Sequence, residues 1–413
     1  MHAPRTNSIA LRLRTLVVSP IVVGLFLVMA ACGGSDSGRR DGGGFGDASE
    51  QDGADTHDGQ VPSDANVSKD ASDGAAPDTR TPVVYVGGYA GVISWYAYDR
   101  VTGALTLTDS LNTGGSPSFL AVDSEHLRLF SANESGAQVH AYAMDATTGA
   151  LTHINGVSSG GAGPAHVAVH PSGKWVFVAN YTQGNMRVIP VGNDGVLGTA
   201  TDTRSVGANA HQVLVSSSGD RVYVPCKGAD HVAQFSFNST TGTLTALSPA
   251  TVSTANGAGP RHMAFHPTLA RAYLINELDS TMVRADVDAG GRLTLGQTLS
   301  TLPNGFGGTN KCAEVAVHPS GAFLYGSNRG HNSIVTYALG GDGAMTLVGR
   351  EGTGGSTPRS FTLDPAGKFL LAANQDSNNV VVFSLSASTG EPSPTGQSVT
   401  VSSPSFVGFG FLP

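Results

Sequence analysis

The segment PAHVAVHPSGKWVFVANYTQGNMRVIPVGNDGVLGTATDTRSVG, residues 164–207, contains the pattern that decides the fold. Apolar residues alternate with other residues in AHVAVHP, which stops at the turn PSG, and the apolar run KWVFVAN follows and ends in a Gly-containing turn. The run MRVIPV follows, then NDG and a last short run. Because period-two alternation broken by such turns is typical of antiparallel hairpins, the segment predicts a sheet of four short strands.

The same unit recurs along the chain, as two independent series of positions show. The first series is a turn glycine before a short apolar run, at intervals of 46, 46, 47, 49, 52 and 47 residues: Gly103, Gly149, Gly195, Gly242, Gly291, Gly343 and Gly390. The second series is the end of an apolar strand: Gly88, Asn133, Asn180, Cys226, Asn276, Asn328 and Asn374. Two series with one period indicate seven structural repeats.

Four strands in each of seven repeats predict an all-β, seven-bladed β-propeller over residues 81–413. One unit cannot bury both faces of its sheet, whereas packing units around an axis covers the faces and leaves only short edges. The first unit starts at Thr81 without an opening strand, and Ser402–Leu412 has the pattern of an opening strand. We therefore predict that the C-terminal strand pairs with the N-terminal three strands and closes the ring.

Residues 1–31 predict a lipoprotein signal peptide. Three arginines precede an apolar run, Leu16 to Ala31, that is short for a membrane span. Small residues then lead to Cys32, the expected site of lipidation, and an ordinary secretory signal cut nearby is the alternative. Residues 32–80 predict a disordered linker, because this Gly/Asp/Ser-rich segment has too few apolar side chains to offset its ordering entropy. We expect an exported protein anchored in the membrane, in the outer membrane or at the cell surface.

The composition limits the classes of partner. The formal net charge is −8, and residues 33–80 hold ten aspartates and Glu50 against four basic side chains, so the linker carries much of the acidity. The sequence has no basic stripe, which argues against a nucleic-acid partner. We expect a monomer that meets the membrane only through its lipid anchor. Cys226 and Cys312 lie on non-adjacent repeats and are expected to be free and buried.

Functional side chains in a propeller are expected where the apolar pattern breaks, because opening strands line the axial channel and the loops after second strands surround its mouth. In the opening strands the candidates are His166, His211, Arg261, His262, Glu314 and Arg359. After the second strands they are Glu134, Tyr181, Lys227, Glu277, Arg329 and Gln375. Other recurring polar residues are predicted to be structural, as turn caps or turn residues: Asn133, Asn180, Asn276, Asn328, Asn374, His170, His266 and His318.

Four of these charged side chains would point toward one central space: Arg261, Glu277, Arg329 and Arg359. Burying four charges is costly unless they pair with one another or meet a ligand. The pattern favours a ligand and leaves ion pairing inside the channel open.

Several segments resemble one family of proteins in particular: GAGPRHMAFHP (257–267), YLINELDSTM (273–282), SNRGHNSIVTY (327–337) and STPRSFTLDPAGKFLLAANQDSNNVVVF (356–383). They are similar to the lactonase-type seven-bladed propellers. That family includes a cycloisomerase-type 6-phosphogluconolactonase and the fungal carboxymuconate lactonizing enzyme. The resemblance spans residues 81–413.

The resemblance implies a catalytic set of one histidine, two arginines and one glutamate: His211 in ANAHQV, Arg261 in GPRH, Glu277 in INEL and Arg329 in SNRGH. The two arginines would bind a substrate anion or the oxyanion that forms on carbonyl attack. Either the histidine or the glutamate would be the general base on water. Further substrate contacts are predicted at four positions: His166, Glu134, Arg359 and Gln375. No cofactor is implied, and the histidines lack the clustering of a zinc site.

The resemblance implies hydrolysis of a sugar lactone, with 6-phosphogluconolactone as the family's best-known substrate. The export signal argues against that substrate, because the pentose phosphate pathway is cytoplasmic, so we expect a different lactone or organic anion as the small-molecule partner. Two alternatives stay open, since the propeller fold hosts many functions. One is a non-catalytic ligand- or protein-binding propeller on the cell envelope, and the other is a muconate-type lactonizing cycloisomerase.

Overall fold

The computed structural model describes residues 79–413, which form 28 strands and one short 3-10 helix, η1 (Glu134–Gly136). Blade 1 contains β1 (Thr81–Gly88), β2 (Val92–Tyr98), β3 (Leu105–Asn112) and β28 (Pro404–Leu412). Blade 2 contains β4 (Pro117–Asp123), β5 (Arg128–Asn133), β6 (Gln138–Met144) and β7 (Leu151–Ser158). Blade 3 contains β8 (Pro164–Val169), β9 (Trp175–Asn180), β10 (Asn185–Pro190) and β11 (Asp202–Ser205).

The remaining four blades follow the same order along the chain. Blade 4 contains β12 (Leu214–Val215), β13 (Arg221–Cys226), β14 (His231–Asn238) and β15 (Thr243–Ser253). Blade 5 contains β16 (Pro260–Phe265), β17 (Arg271–Asn276), β18 (Thr281–Val287) and β19 (Leu293–Ser300). Blade 6 contains β20 (Lys311–Val317), β21 (Phe323–Arg329), β22 (Ser333–Leu339) and β23 (Met345–Gly352). Blade 7 contains β24 (Pro358–Leu363), β25 (Phe369–Asn374), β26 (Asn379–Leu385) and β27 (Pro392–Thr400).

Each blade is one four-stranded antiparallel sheet, and the seven sheets close into a ring. The inner strands contact their neighbours in the order β28, β4, β8 and β12, blade 4 reaches β16 through β13, and the ring returns through β20 and β24 to β28. The predicted seven-bladed propeller is therefore confirmed. The predicted signal peptide, the lipidation at Cys32 and nearly all of the predicted linker lie outside the described residues.

The ring closes at blade 1, as predicted. Strand β28 pairs antiparallel with β1 from Thr81↔Leu412 to Gly88↔Pro404, which gives the blade its opening strand. All seven residues from Pro82 to Gly88 are buried at this seam. Strand pairing and apolar burial therefore join the two ends of the described chain.

The hydrophobic core is divided among the interfaces between blades. Second strands are buried on both faces, and in Trp175–Asn180 all six residues are buried, whereas the outermost strands alternate between exposed and partly buried residues. Apolar clusters join neighbouring blades, as where Val84 and Tyr96 of blade 1 pack with Leu371 and Val382 of blade 7. Because each fully buried large side chain contributes about 1.5–3 kcal/mol, blade-to-blade packing stabilises the ring.

The turn glycines mark points where one blade contacts the next. All seven adopt positive φ, which favours glycine. The hydroxyl of Tyr273 on β17 donates a hydrogen bond of 2.8 Å to the carbonyl of Gly343 in blade 6. The same bond joins Tyr85 to Gly149, Tyr223 to Gly291 and Tyr325 to Gly390.

The recurring histidines and asparagines also connect blades. The Nε2 atom of His266 donates a 3.0 Å hydrogen bond to the carbonyl of Gly321, so the predicted turn histidine also holds the next blade. The asparagines were predicted to cap turns by side-chain-to-backbone bonds, and three of them make such bonds to the connection that enters their blade. Asn180 Nδ2 donates to the carbonyl of Ser159, which leaves the preceding blade, and Asn328 and Asn374 make equivalent bonds.

Cys226 and Cys312 are free and buried, as predicted, on blades 4 and 6. Within residues 79–413, no helix has the length and apolar character needed to cross a bilayer.

Candidate active site

A β-bulge in the opening strands positions the candidate site. Pro260 pairs with Asn276 and His262 pairs with Ile275, so Arg261 is an extra residue without a partner in the ladder. The extra residue is equivalent in four other blades: Ser118, Ala165, Arg359 and Ser405. Bulges re-aim side chains, and here they turn one position per strand toward the axis.

A small, partly open pocket lies where the bulged positions meet. Its lining includes one residue from the opening segment of each blade: Ser118, Ala165, His211, Arg261, Glu314, Arg359 and Ser405. Tyr89, Phe119 and His262 complete the lining. The repeat therefore places one side chain from each blade around one space, and the residue type varies among the blades.

Glu277 is held by three cations beside this pocket. Its Oε1 atom lies 3.0 Å from Lys227 Nζ, and its Oε2 atom lies 2.9 Å from Arg329 Nη2 and 3.1 Å from Arg261 Nε. The side chain is only 5% exposed. Burial raises the pKa of Glu277, but Arg261, Arg329 and Lys227 outweigh it and lower the pKa to about 2. Glu277 is thus a permanent counter-charge with both oxygens engaged.

The two arginines bound to Glu277 are also fixed to the backbone of β20. Arg261 Nη1 donates to the carbonyl of Ala313 at 2.7 Å, and Arg329 Nη2 donates to the carbonyl of Cys312 at 3.0 Å. Burial, together with Arg329 and Arg359, lowers the pKa of Arg261 to about 9, which leaves it charged at neutral pH. Both guanidinium groups are therefore cationic and preorganised.

Arg359 differs from the other two arginines because no carboxylate among residues 79–413 forms an ion pair with it. Its guanidinium carbon lies 5.4 Å from the ring centre of Tyr89, in a cation–π contact. The side chain lines the pocket. Arg359 is therefore available to a ligand anion.

Three imidazoles lie together at the pocket, two of them, His211 and His262, in its lining and the third, His166, beside them. The ring of His262 is 5.1 Å from that of His211 and 5.6 Å from that of His166, centre to centre. Burial, followed by nearby charges that include Arg261, holds the pKa of all three well below the usual range. One nitrogen on each ring has no hydrogen-bond partner: His166 Nε2, His211 Nδ1 and His262 Nε2. These rings are neutral and retain free lone pairs or N–H groups.

The structure brings together the residues of the predicted catalytic set. Arg261 and Arg329 both contact Glu277, and His211 lines the pocket beside Arg261. Arg261 and Arg329 form ion pairs with Glu277 inside the channel. Arg359 forms no ion pair with a carboxylate of residues 79–413, so it is the arginine that fits the predicted role in ligand binding.

The predicted substrate contacts fall into two groups. Arg359 lines the pocket. His166 lies behind Phe119, with ring centres 3.9 Å apart, and Glu134 in η1 interacts with Tyr89. Gln375 follows β25 and keeps a buried Oε1 atom without a hydrogen-bond partner. These last three residues do not form part of the pocket lining.

Sequence reasoning missed several pocket residues that a stricter alignment of the repeats would have found. Tyr89 follows β1 at the position that Glu277 occupies after β17. Ser118 and Ser405 follow Pro117 and Pro404, as Arg261 follows Pro260. They escaped notice because serine and tyrosine interrupt an apolar pattern less visibly than charges do.

Within residues 79–413, no group of three or more His, Cys, Asp or Glu side chains has the geometry of a metal site. The buried arginines give the pocket a positive charge, which suits an anionic or strongly polarised ligand rather than a cation.

Comparison with known proteins finds a family with the same seven-bladed architecture. The family described as "Lactonase, 7-bladed beta-propeller" matches residues 83–409. The 6-phosphogluconolactonase of Pectobacterium carotovorum is 34% identical over 203 residues, 49% of this chain and 60% of that protein. The 6-phosphogluconolactonase of Serratia proteamaculans is 36% identical over 204 residues, 49% of this chain and 61% of that protein. The match thus spans about three fifths of the length of these curated relatives.

Solved structures are similar over a larger share of the chain. The periplasmic gluconolactonase PpgL of Pseudomonas aeruginosa has a TM-score of 0.76 and 31% identity, covering 80% of this chain and 99% of that chain. A putative 6-phosphogluconolactonase of Bacteroides fragilis has a TM-score of 0.74 and 26% identity, covering 81% of this chain and 99% of that chain.

Proposed function

Because the chain belongs to the seven-bladed β-propeller lactonase family, we propose that it hydrolyses a sugar lactone in the axial pocket. The observation that carries the proposal is the pocket composition, in which buried arginines and imidazoles with unpartnered nitrogens face one space. Lactone hydrolysis needs an oxyanion stabiliser and a proton acceptor, and these groups supply both. The relatives named as 6-phosphogluconolactonases and the periplasmic gluconolactonase support the same reaction class.

The arginines bound to Glu277 are suited to stabilise the oxyanion. Their guanidinium groups are rigid and buried, so they need little rearrangement when the lactone carbonyl oxygen becomes negative. Glu277 orients them and offsets part of their charge. It is unsuited to be the general base, because its pKa is about 2 and its two oxygens contact three cations. Of the two bases considered from the sequence, Glu277 is therefore disfavoured, which leaves the role to an imidazole of the pocket.

Arg359 is suited to bind the substrate away from the reacting carbonyl. It is the pocket arginine without an ion-pair partner among residues 79–413, so a phosphate or carboxylate on the lactone would neutralise it. Since Glu277 already pairs with Arg261 and Arg329, Arg359 is the arginine of the pocket left for a substrate anion. We propose an aldonolactone with a single anionic group, or a neutral one whose hydroxyls replace that group.

The place of the reaction is proposed to be outside the cytoplasm. The predicted signal peptide over residues 1–31 and the predicted lipidation at Cys32 would export and anchor the protein. A solved relative is described as a periplasmic gluconolactonase, which supports export. We propose a monomer at the outer membrane or cell surface that acts on a lactone formed or delivered there.

The proposal is tested with the full-length protein and a panel of neutral, phosphorylated and carboxylated lactones. Each hydrolysis releases one proton, so a pH-stat measures turnover above the spontaneous rate. We expect turnover by the wild type and a loss of about 10²–10³-fold in kcat for Arg261→Gln, because one oxyanion donor is removed. Arg292→Gln, at a half-exposed site on blade 5, is the matched control and should leave turnover unchanged.

Turnover equal to the spontaneous rate across the whole panel would contradict the lactonase proposal. A ligand that binds without turnover would then favour the binding propeller, and ring closure of a muconate would favour the cycloisomerase.

A further inference from the structure

His262 and Glu314 form a buried pair that the predicted catalytic set does not include. His262 Nδ1 lies 2.8 Å from Glu314 Oε1, across the interface between β16 of blade 5 and β20 of blade 6. His262 is 1% exposed, and its Nε2 atom has no hydrogen-bond partner. Both residues line the pocket. The contact therefore leaves one imidazole nitrogen directed away from the carboxylate and without a protein partner.

We infer that His262 is the general base of the reaction and that Glu314 is its positioning residue. The inference rests on the proposed lactonase function and deepens it. A carboxylate on Nδ1 selects the tautomer with a proton on Nδ1, so the lone pair of Nε2 is free to accept a proton from water. The carboxylate also stabilises the imidazolium formed in that step.

Glu314 is itself held in place. Its Oε1 atom accepts a hydrogen bond of 3.2 Å from the backbone N–H of Val315, and its own N–H donates to Ser327 Oγ at 2.9 Å. The residue lies in the bulged part of β20, where Cys312 pairs with Asn328 and the ladder resumes at Val315. The bulge therefore turns this carboxylate toward blade 5 and the imidazole.

His211 is a weaker candidate for the same role. Its charged neighbours are Arg261, Arg359 and Arg329, and no carboxylate among the described residues contacts its ring. Taking up a proton would therefore create a second buried cation beside the arginines. For His262, the same proton would create a charge 2.8 Å from Glu314. We assign His211 to hold the attacking water or a substrate hydroxyl.

The chemical step balances without a further reactant. The oxygen of water bonds to the lactone carbonyl carbon while His262 Nε2 takes the proton, and the carbonyl electron pair moves to the oxygen facing Arg261. The tetrahedral intermediate then collapses, the ring C–O bond breaks, and the Nε2 proton passes to the departing alkoxide. The product is the open hydroxy acid, which loses its carboxylic proton to solvent.

Ionisation of His262 and Glu314 should make the reaction rate depend on pH, and other groups in the pocket shift the pKa values of both residues. Burial raises the pKa of Glu314 to about 7, against the opposing effect of Arg261. Burial lowers the pKa of His262, with Arg261, Arg359 and Arg329 acting in the same direction and Glu277 against it. The rings of His166 and His211 face the pair from blades 3 and 4. Below about pH 7 the pair gains a proton and the base is lost, so kcat/KM should fall on the acid side.

The test compares His262→Asn and Glu314→Gln with the wild type in the full-length protein. We expect His262→Asn to lower kcat by about 10²–10⁴-fold with KM changed less than about threefold. We expect Glu314→Gln to lower kcat by a smaller factor and to move the acid limb of the kcat/KM profile to lower pH, because the carboxylate that takes up the proton is gone. His153→Asn, on the exposed outer strand of blade 2, is the control and should match the wild type.

A second measurement does not depend on turnover. Nitrogen-15 NMR of the imidazoles, assigned with His262→Asn, should show the wild-type ring protonated on Nδ1 and unprotonated on Nε2. The opposite tautomer would overturn the assignment. Wild-type turnover that survives His262→Asn would also overturn it while leaving the lactonase proposal intact. No wild-type turnover on any lactone would instead overturn the lactonase proposal, and this assignment with it.

Discussion

Glu277 illustrates how burial and charge act on one side chain. Isolated in an apolar pocket its carboxyl would be protonated, yet contacts with Lys227, Arg261 and Arg329 keep it ionised. The same contacts make the three cations tolerable in the interior. Removing the carboxylate would leave these cations close together with no counter-charge among them.

The pH dependence of stability should report this charge cluster. The pKa of Glu277 is lowered from 4.5 to about 2 on folding, so its stabilising contribution is complete above pH 4.5 and is lost as pH falls from 4.5 toward 2. The contribution should be about 3 kcal/mol at neutral pH. Urea unfolding of wild type and Glu277→Gln at several pH values measures it. The difference between the two free energies of unfolding should shrink across this range, and a constant difference would contradict the prediction.

Arg359 should select for a substrate anion. A charge-assisted hydrogen bond is worth about 1.5–3 kcal/mol, so Arg359→Ala should lower kcat/KM for a phosphorylated lactone by about 10–100-fold. A neutral lactone should be affected much less, because its contact with the guanidinium carries no net charge. Steady-state kinetics on both substrates checks this, with Arg292→Ala as the control. An equal loss on both lactones would show that Arg359 supports the fold or the chemistry rather than the anion.

The turn between the third and fourth strands of each blade is a packing element as well as a turn. In blade 6, Gly343 has φ +77°, and an added Cβ would lie 3.0 Å from Tyr273 Oη and 2.9 Å from Arg271 Cγ. Gly257, in the connection between blades 4 and 5, has the same φ but no atom within 4 Å of an added Cβ. Substitution at Gly257 therefore tests backbone strain alone, whereas substitution at Gly343 tests backbone strain together with the contact between blades.

Gly343→Ala should be more destabilising than Gly257→Ala. Both substitutions carry the cost of positive φ, about 1 kcal/mol. Only Gly343→Ala must also displace its neighbours and disturb the hydrogen bond from Tyr273 to the Gly343 carbonyl, worth about 1 kcal/mol more. Chemical denaturation of both variants measures the difference. Equal losses would mean that the turn does not lock blade 5 to blade 6.

The opening strands show why a bulge matters for the site. Without the extra residue, the alternation of a strand would keep Arg261 and His262 on opposite faces of one sheet. The bulge gives both residues access to the pocket, and it recurs in neighbouring blades. The bulged position thus acquires a common direction in the blades that contain it.

The ring as a whole depends on its closure in blade 1. Strand β28 supplies the innermost strand of that blade and Ser405 of the pocket. The hydroxyl of Ser405 donates to the carbonyl of Ser118 in blade 2 at 2.8 Å, so closure also sets the pocket wall. Stability and site geometry are therefore coupled through residues far apart in sequence.

Ending the chain after Ser403 should disrupt the ring. The deletion exposes the buried edge of β1 and removes the contacts of β28 with β4 and β24. We expect loss of cooperative thermal unfolding and association through the exposed edge, because an unpaired strand edge is a template for pairing. Circular dichroism and size-exclusion chromatography report both effects. A truncated chain that unfolds cooperatively at the wild-type Tm would contradict the role of β28.

The sequence by itself determined the seven repeats, the closing strand, the two free cysteines and the clustering of Arg261, Glu277 and Arg329. These follow from period-two patterns, turn residues and repeat spacing, which are local signals that every blade repeats. Only the tertiary structure decided which arginine stays unpaired and that His262 meets Glu314. The physical reason is that these contacts join different blades. They depend on the bulges and on the angle between sheets, and the residue pattern of a single strand predicts neither.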